Sequence, residues 1–343
     1  QLQVNGNIKK LQLQAYGQDV IIFKNKTIVN DTLLTNTKPY LIFGSLVVDT
    51  MKTLEIEASS TLYFHDKGKL KVKGNLKAKG TLLQPIVFRG DRFGIMPEGT
   101  PYDNLSNQWT GIELTWTKAE HEMEYILLRN GNTGISIAGS ETEQPKLSIS
   151  NSRIYDFRKN GIAAKNAEVT IVNSEIANCG NYCLYLLGGT HHVIHTTIAN
   201  FFKESSRFTP SVLLKNYLET ATYPLHKADF KNCIVHGGNS TELILDKSTT
   251  DTNIPFNYTF KNCLIKTVQL TDVLFESTIW SKNTDSVFVS IKKPYNFMLY
   301  KNSPAINKAN AVISSAYPTD ILNNSRLSDS APDMGAYEWI PEN

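Results

Sequence analysis

Long apolar runs, an excess of one charge sign and abundant cysteine are all missing from this sequence. No stretch of 18 or more apolar residues occurs, so we expect no membrane-spanning segment. The 35 Lys and Arg residues nearly balance the 32 Asp and Glu residues, which argues against nucleic acid as the main partner. The sequence begins at Gln1 without a charged and then apolar leader, so we expect that a signal segment was removed or lies upstream.

The few cysteines limit both metal chemistry and cross-linking. Cys179 and Cys183 have no nearby pair of histidines at a matching spacing, so they do not predict a zinc site. Cys233 and Cys263 each end the same short motif, Phe-Lys-Asn-Cys, and could be buried thiols or a disulfide. We favour thiols, because free cysteine behaves as a small buried apolar residue.

The dominant positive feature is a repeat of 22 residues. The segments 147–154 and 169–176 share the pattern apolar-Ser/Thr-Ile-x-Asn-Ser-x-Ile, and residues 193–198 continue it. A unit this short must stack on its neighbours, and its alternation of apolar and polar residues indicates strands. Twenty-two residues is about one coil of a parallel β-helix, so the sequence predicts an all-β solenoid.

Residues one repeat apart should lie above one another, because stacked parallel strands are about 4.8 Å apart. The predicted column contains Asn151, Asn173, His195, Asn232 and Asn262, with Ser277 and Tyr125 as weaker members. We interpret it as an inward amide ladder in which each side chain bonds its neighbours above and below. We therefore predict that this column has a structural role and takes no part in catalysis.

The chain is predicted to divide into three parts. Residues 1–43 contain short β-like runs outside the repeat and would form an N-terminal β cap that covers the open strand edges. Residues 44–310 would form the β-helix, and residues 311–343 a C-terminal closing segment. Residues 89–108, 201–223 and 237–257 interrupt the regular pattern as long excursions, where specificity usually resides.

A second column, five residues after the first, is the best candidate for a binding site. Asp156, Asn178 and Asn200 recur at the same 22-residue interval, at a coil corner. Aromatic, cationic and amide groups along one rim suit an extended sugar polymer. The alternative is that the corner needs residues that tolerate a left-handed backbone. The candidate substrate-binding residues are Asp156, Arg158, Lys159, Asn178, Tyr182, Asn200, Glu204, Arg207 and His236.

Metal binding is weakly indicated. His191 and His195 would share one strand face, but no carboxylate partner accompanies them. We therefore predict no metal site and no cofactor, and leave calcium open as an alternative.

The C-terminal region carries a family resemblance. Ser303-Pro-Ala-Ile306, followed by Asp333-Met-Gly-Ala-Tyr-Glu338, resembles the closing signature of right-handed parallel β-helix proteins of the pectate-lyase-like type. Residues 80–89 and 108–112 resemble the first coils of the same proteins. The resemblance implies a single-stranded right-handed β-helix, exported by glycan-foraging gut bacteria and often anchored as a surface lipoprotein.

The resemblance specifies activity poorly, because this architecture hosts lyases, hydrolases and adhesins. Its lyases would need several Asp on adjacent coils holding calcium with a Lys or Arg base nearby. Residues 147–200 contain no two carboxylates at the same position of neighbouring coils. We therefore expect an exported monomer that binds an extended polysaccharide, with a polysaccharide lyase or glycoside hydrolase as one alternative and a structural or adhesive surface protein as another.

Overall fold

A computed structural model of the chain describes residues 2–4, 7–9, 19–97 and 99–341. Within the described residues the chain winds through three parallel sheets in turn, and the coils after Asp246 contribute strands to the first and second sheets. Among the described residues, no helix has the length and apolar character that a membrane span requires.

The first sheet contains ten strands that pair in parallel from coil to coil. Its strands are Thr32–Leu34, Thr53–Ile56, Asn75–Lys79, Glu120–Glu124, Lys146–Ser150, Glu168–Val172, Gly189–Ile194, Leu225–Lys231, Thr259–Lys261 and Phe275–Glu276.

The second and third sheets share the two long strands Ile21–Ile28 and Tyr40–Val48 at the N-terminal end. The other strands of the second sheet are Thr61–Phe64, Ile86–Gly90, Ile126–Arg129, Arg153–Phe157, Glu175–Cys179, Thr197–Asn200, Ile234–Gly237, Leu264–Ile265 and Ile279–Trp280. The other strands of the third sheet are Lys69–Val72, Gly111–Leu114, Ile135–Ala138, Ile162–Lys165, Leu184–Leu187, Val212–Lys215 and Leu243–Asp246.

Smaller elements lie outside the three sheets. Three antiparallel hairpins pair Leu2–Val4 with Asn7–Lys9, Tyr217–Leu218 with Ala221–Thr222, and Phe288–Ser290 with Asn296–Leu299. The helical elements among the described residues are a 3₁₀ turn at Tyr102–Asn104 and one α-helical turn at Ala311–Ser314.

The parallel pairing starts before residue 44, where the sequence predicts the β-helix to begin. Ile21–Ile28 already pairs in parallel with Tyr40–Val48, so residues 21–43 belong to the solenoid rather than to a separate cap. The run Leu11–Ala15, which is part of the predicted cap, lies outside the described residues.

The interior is a stack of apolar side chains. Inward positions repeat coil after coil, as Leu147, Val169 and His191 do in register along the first sheet. Phe230 and Phe260 stack at 4.7 Å between ring centroids in the late coils. The four cysteines are buried free thiols, as the sequence favours for Cys233 and Cys263. Burial of these stacked side chains is the main stabilising contribution to a coil that has no separate core.

The predicted amide ladder is a column of left-handed corner residues instead. Asn151, Asn173, His195, Asn232 and Asn262 all lie between the first and second sheets with φ of 45–54°. Among the described residues, one side-chain hydrogen bond joins members of this column, from Asn232 Nδ2 to His195 Nε2 at 2.9 Å. Asn and His recur at this position because they tolerate the left-handed backbone conformation that the tight corner requires.

The corner column also holds the C-terminal segment, residues 303–339. Asn173 Nδ2 donates to the carbonyl oxygen of Thr319 at 2.9 Å, and Asn262 Nδ2 donates to that of Lys308 at 3.1 Å. Between them, Asn232 Oδ1 accepts from the Asn310 amide at 2.8 Å. The segment therefore runs along the column in the direction opposite to the winding of the coils.

A buried ion pair secures this C-terminal segment. Arg326 is fully buried and bonds Glu338 at 2.5 Å, while its second terminal nitrogen donates to Asn173 Oδ1 at 3.1 Å. The Tyr337 hydroxyl donates to Glu175 Oε2 at 2.5 Å. Two residues of the segment 333–338 thus help to fasten it to the middle coils, Tyr337 directly and Glu338 through Arg326.

Candidate functional site

Three excursions from the solenoid meet beside the ends of the second-sheet strands. Residues 91–110 follow the strand Ile86–Gly90, residues 201–211 follow Thr197–Asn200, and the third excursion is the hairpin of Phe288–Ser290 and Asn296–Leu299. The three excursions are far apart in sequence, and they converge over the middle coils of the solenoid.

Hydrogen bonds fasten the three excursions to one another. Glu204 accepts from the Ser106 backbone amide at 2.9 Å and from the Ser106 hydroxyl at 2.7 Å. Lys293 Nζ donates to the Asn104 carbonyl oxygen at 2.5 Å. These contacts hold loop segments that would otherwise be mobile, so the surface between them is defined in shape.

The excursions enclose an open groove of about 610 Å³. Its floor is the second-sheet corner, and its walls carry both apolar and charged side chains. The lining residues are Met96, Thr100, Leu105, Asp156, Asn178, Phe202, Lys203, Glu204, Lys292, Lys293 and Tyr295.

Asp156, on the groove floor, has an unusual protonation equilibrium. It lies at φ 60° at the end of its strand and is 7% exposed. Burial raises the pKa of Asp156 to about 7, with the charge of Glu204 adding to that effect and the charge of Lys293 opposing it. A carboxyl group with this pKa exchanges a proton near neutral pH, a property common among catalytic acids and bases.

Asn178 occupies the equivalent position one coil later, at φ 51°. Its side-chain oxygen accepts from the Phe201 amide at 3.2 Å, and its side chain lowers the pKa of Asp156 against the effect of burial. The second predicted column therefore has the left-handed corner geometry and also forms the floor of the groove. Asp156 and Asn178 therefore fit both predictions for this column, as residues of a candidate binding surface and as left-handed corner residues.

A narrower cavity of about 210 Å³ adjoins the groove on the other side of Asp156. Its wall carries three cations from separate elements and the acids that accompany them. The lining residues are Asp103, Asn104, Arg129, Arg153, Tyr155, Asp156, Glu175, Asn178, Lys293, Pro294, Tyr295 and Phe297.

Five of the nine predicted site residues lie in or near this region. Asp156, Asn178 and Glu204 line the groove. Arg158 and Lys159 are exposed just beyond the strand end, and Arg158 donates to Ser205 Oγ at 2.8 Å. Tyr182 lies farther away, half-buried, with its ring centroid 5.5 Å from that of Tyr185.

Asn200 and Arg207 line a neighbouring cavity rather than the groove, and their side chains are engaged in internal hydrogen bonds. The Asn200 side chain accepts from the Cys179 amide at 3.0 Å and donates to the Cys179 carbonyl at 2.9 Å. Arg207 forms a two-pronged ion pair with Glu242 at 2.6 and 2.9 Å, and the Arg207 side chain is 3% exposed. These two residues support the loop at 201–211, and the groove over Asp156 does not include them.

His236 is also an internal residue. Its ring packs against Phe201 and Phe288 with centroids 5.8 Å apart in each case. Burial lowers the pKa of His236 to about 3, so the ring is neutral at physiological pH. It supports the base of the hairpin rather than the groove surface.

The sequence interpretation missed the contribution of the hairpin. Lys292, Lys293 and Tyr295 enter the groove from a segment that has no 22-residue pattern. The available signal was local: apolar residues at 287–289 and 297–299 flank a polar turn that contains Pro294. That signal predicts a hairpin but not its position over Asp156.

No arrangement of metal ligands emerges from the described ranges. No three His, Cys, Asp or Glu side chains within them are grouped so that they could hold an ion. His191 Nε2 bonds the Gly188 carbonyl oxygen at 2.7 Å, and His195 Nε2 bonds Ser314 Oγ at 2.9 Å. Calcium binding stays a prediction.

Comparison with known proteins addresses the fold. The family model described as right handed beta helix region matches residues 110–203, the coils that carry the groove floor. The fold is a right-handed parallel β-helix. Together with the three parallel sheets, this confirms the predicted fold class.

Two further comparisons concern whole chains. The crystal structure of pectate lyase Pel9A is similar to this β-helix at 14% identity and a TM-score of 0.40, over 93% of this chain and 87% of that chain. No curated protein matches the sequence.

Proposed function

We propose that this β-helix binds an extended polysaccharide in the groove over Asp156 and Asn178. The observation that carries the proposal is the mutual fastening of three separate excursions around one open groove. A shaped, open groove suits a chain molecule that continues beyond the site on either side, whereas small-molecule sites enclose most of their ligand.

The side chains in the groove match the chemistry of sugars. Phe202 and Tyr295 offer apolar ring surface for the C–H faces of pyranose rings. Asn178 offers an amide, and the exposed lysines Lys203 and Lys292 offer donors to hydroxyl or acidic groups. We further propose that the protein works outside the cytoplasm, secreted or anchored at the outer surface, as a monomer.

Retention on immobilised polysaccharides tests the binding proposal. The double variant Lys203→Ala/Lys292→Ala removes two exposed groove donors and should weaken retention by about tenfold, the usual effect of one or two lost charged contacts. Lys308→Ala, an exposed lysine outside the groove, is the matched control and should leave retention unchanged. Equal retention of all three proteins, or no retention on any neutral or acidic polymer, would reject the groove and favour a structural or adhesive role.

A second candidate function is polysaccharide cleavage, and the chemistry of Asp156 favours it. A carboxyl group with a pKa of about 7 can donate a proton to a leaving glycosidic oxygen, and Glu204 supplies a second carboxylate in the same groove. New reducing ends would indicate hydrolysis, and ultraviolet absorbance from an unsaturated uronate would indicate elimination. Cleavage that survives Asp156→Asn unchanged would exclude this residue as the acid.

A further inference from the structure

The narrow cavity beside Asp156 collects cations from three parts of the fold. Arg129 lies on the strand Ile126–Arg129, Arg153 on the strand of the next coil, and Lys293 on the hairpin. All three line the same space of about 210 Å³, which opens next to the groove floor. Such a convergence brings like charges together, and it is stable only if anions accompany them.

Besides Asp156 itself, two acids in the wall, Asp103 and Glu175, accompany these three cations. Asp103 is shared between two arginines, with Arg89 at 2.5 Å and Arg129 at 3.2 Å. Glu175 pairs with Arg153 at 3.2 Å and also accepts from the Tyr337 hydroxyl at 2.5 Å. One carboxylate therefore serves two guanidinium groups on one side of the cavity.

Arg129 retains an unused donor. Its Nε is buried and has no hydrogen-bond partner within the described part of the chain. A buried guanidinium nitrogen without an acceptor is unfavourable, and it marks a place where an acceptor oxygen would be stabilised. Guanidinium groups present parallel N–H donors that match the oxygens of carboxylate and sulfate groups.

We propose that this cavity is a subsite for an oxyanion substituent of the bound polysaccharide, either the carboxylate of a uronic acid or a sulfate ester. The inference rests on the proposed binding function and specifies the class of polymer. Arg129 and Lys293 are the residues assigned to the anion, and the sugar ring that bears it lies over Asp156 and Asn178.

The subsite is coupled to a proton on Asp156. The charged and titratable groups facing Asp156 are Lys293 and Tyr295 of the hairpin, Glu204 of the loop at 201–211, Arg129 and Tyr155 of the second sheet, and the buried thiol of Cys179. An added anion disfavours a second negative charge a few ångströms away, so binding takes up a proton at Asp156. Anionic ligands therefore bind more tightly as the pH falls below neutrality, and neutral ligands show no such change.

Matched polymers and variants test the subsite. Polygalacturonate is compared with its carboxyl-reduced form, and dextran sulfate with dextran, so that the two pairs distinguish carboxylate from sulfate recognition. We expect Lys293→Gln and Arg129→Gln to weaken retention of the preferred anionic polymer by about tenfold, and retention of its neutral counterpart by less than about twofold. Lys308→Gln is the control. Lys293 is exposed, so its variant keeps the test decisive if Arg129→Gln fails to fold.

Two further measurements distinguish the proposed anion subsite from the proposed polysaccharide binding on which it rests. Asp156→Asn should bind the anionic polymer equally well at about pH 6 and about pH 8, whereas the wild type should bind it more weakly at the higher pH. Selenate soaked into crystals should appear in the cavity by anomalous scattering. Selenate there without retention of any polymer would support the anion site and overturn the binding function. Equal retention of anionic and neutral polymers, with no selenate in the cavity, would overturn the subsite and leave the binding function standing.

Discussion

Replacing Asp156 with Asn tests whether the groove floor holds a carboxyl group that is protonated near neutral pH. Burial raises the pKa of Asp156 from 3.8 to about 7. The folded state therefore binds this proton more tightly than the unfolded chain, so this group stabilises the protein most at low pH. Its contribution is lost as the pH rises from 3.8 towards about 7.

The size of the effect follows from the shift in pKa. A shift from 3.8 to about 7 corresponds to a ceiling of about 4 kcal/mol at about 1.36 kcal/mol per unit. Water in the open groove screens the ionised form, so we expect about 2 kcal/mol. Asn fits the same backbone, because Asn178 adopts φ 51° at the equivalent position, close to the 60° of Asp156.

Urea unfolding at about pH 3, below the unfolded pKa, and at about pH 8 measures this contribution. The variant should match the wild type within about 0.5 kcal/mol at the lower pH and exceed it by about 2 kcal/mol at the higher pH. Comparing the two proteins cancels other titrating groups, including the buried His121 and His191, whose pKa values burial lowers to about 4. Asp66→Asn, which removes an exposed carboxylate, is the control. The same difference from wild type at both pH values would refute the reasoning.

Three other outcomes are expected. Gly335→Ala should destabilise the protein by about 2 kcal/mol, because the residue lies at φ +94° and a Cβ would meet a threonine oxygen at 2.6 Å. Gly94→Ala, at φ +88° with nothing within 4 Å, is its control in thermal unfolding, and equal losses would contradict the clash. Arg326→Met should cost about 3 kcal/mol in chemical denaturation, because it leaves Glu338 buried without its partner; a loss under about 1 kcal/mol would disprove that role. The four buried cysteines should resist alkylation until the protein unfolds, and mass spectrometry of the native protein would reveal any exception.

The sequence predicted the fold well because the repeat acts through local backbone geometry. Asn151, Asn173 and His195 recur because the corner between the first and second sheets needs a left-handed residue in every coil. The same geometry explains the error about their side chains. Asn173 and His195 bond the C-terminal segment through their side chains, and nothing in the repeat indicates which distant segment lies beside it.

Only those residues of the candidate site that belong to the 22-residue repeat could be predicted from the sequence. Asp156 and Asn178 were placed correctly relative to one another because one coil separates them. Arg207 and His236 lie in or next to long excursions, whose paths periodicity does not constrain, and both side chains are turned inward. Lys293 reaches the groove from the hairpin through a contact to Asn104 that spans 189 residues. Contacts of that range depend on the finished fold and have no local signature.

The position of the fastening residues along the chain has a consequence for biosynthesis. Arg326 bonds a residue 153 positions earlier, and Tyr337 bonds one 162 positions earlier. A ribosome releases the middle coils well before it adds these residues, so the coils stack first and are locked afterwards. The C-terminal segment thus distinguishes a finished polypeptide from an interrupted one: a chain that stops short of residue 303 leaves its corner column uncovered and open to proteases.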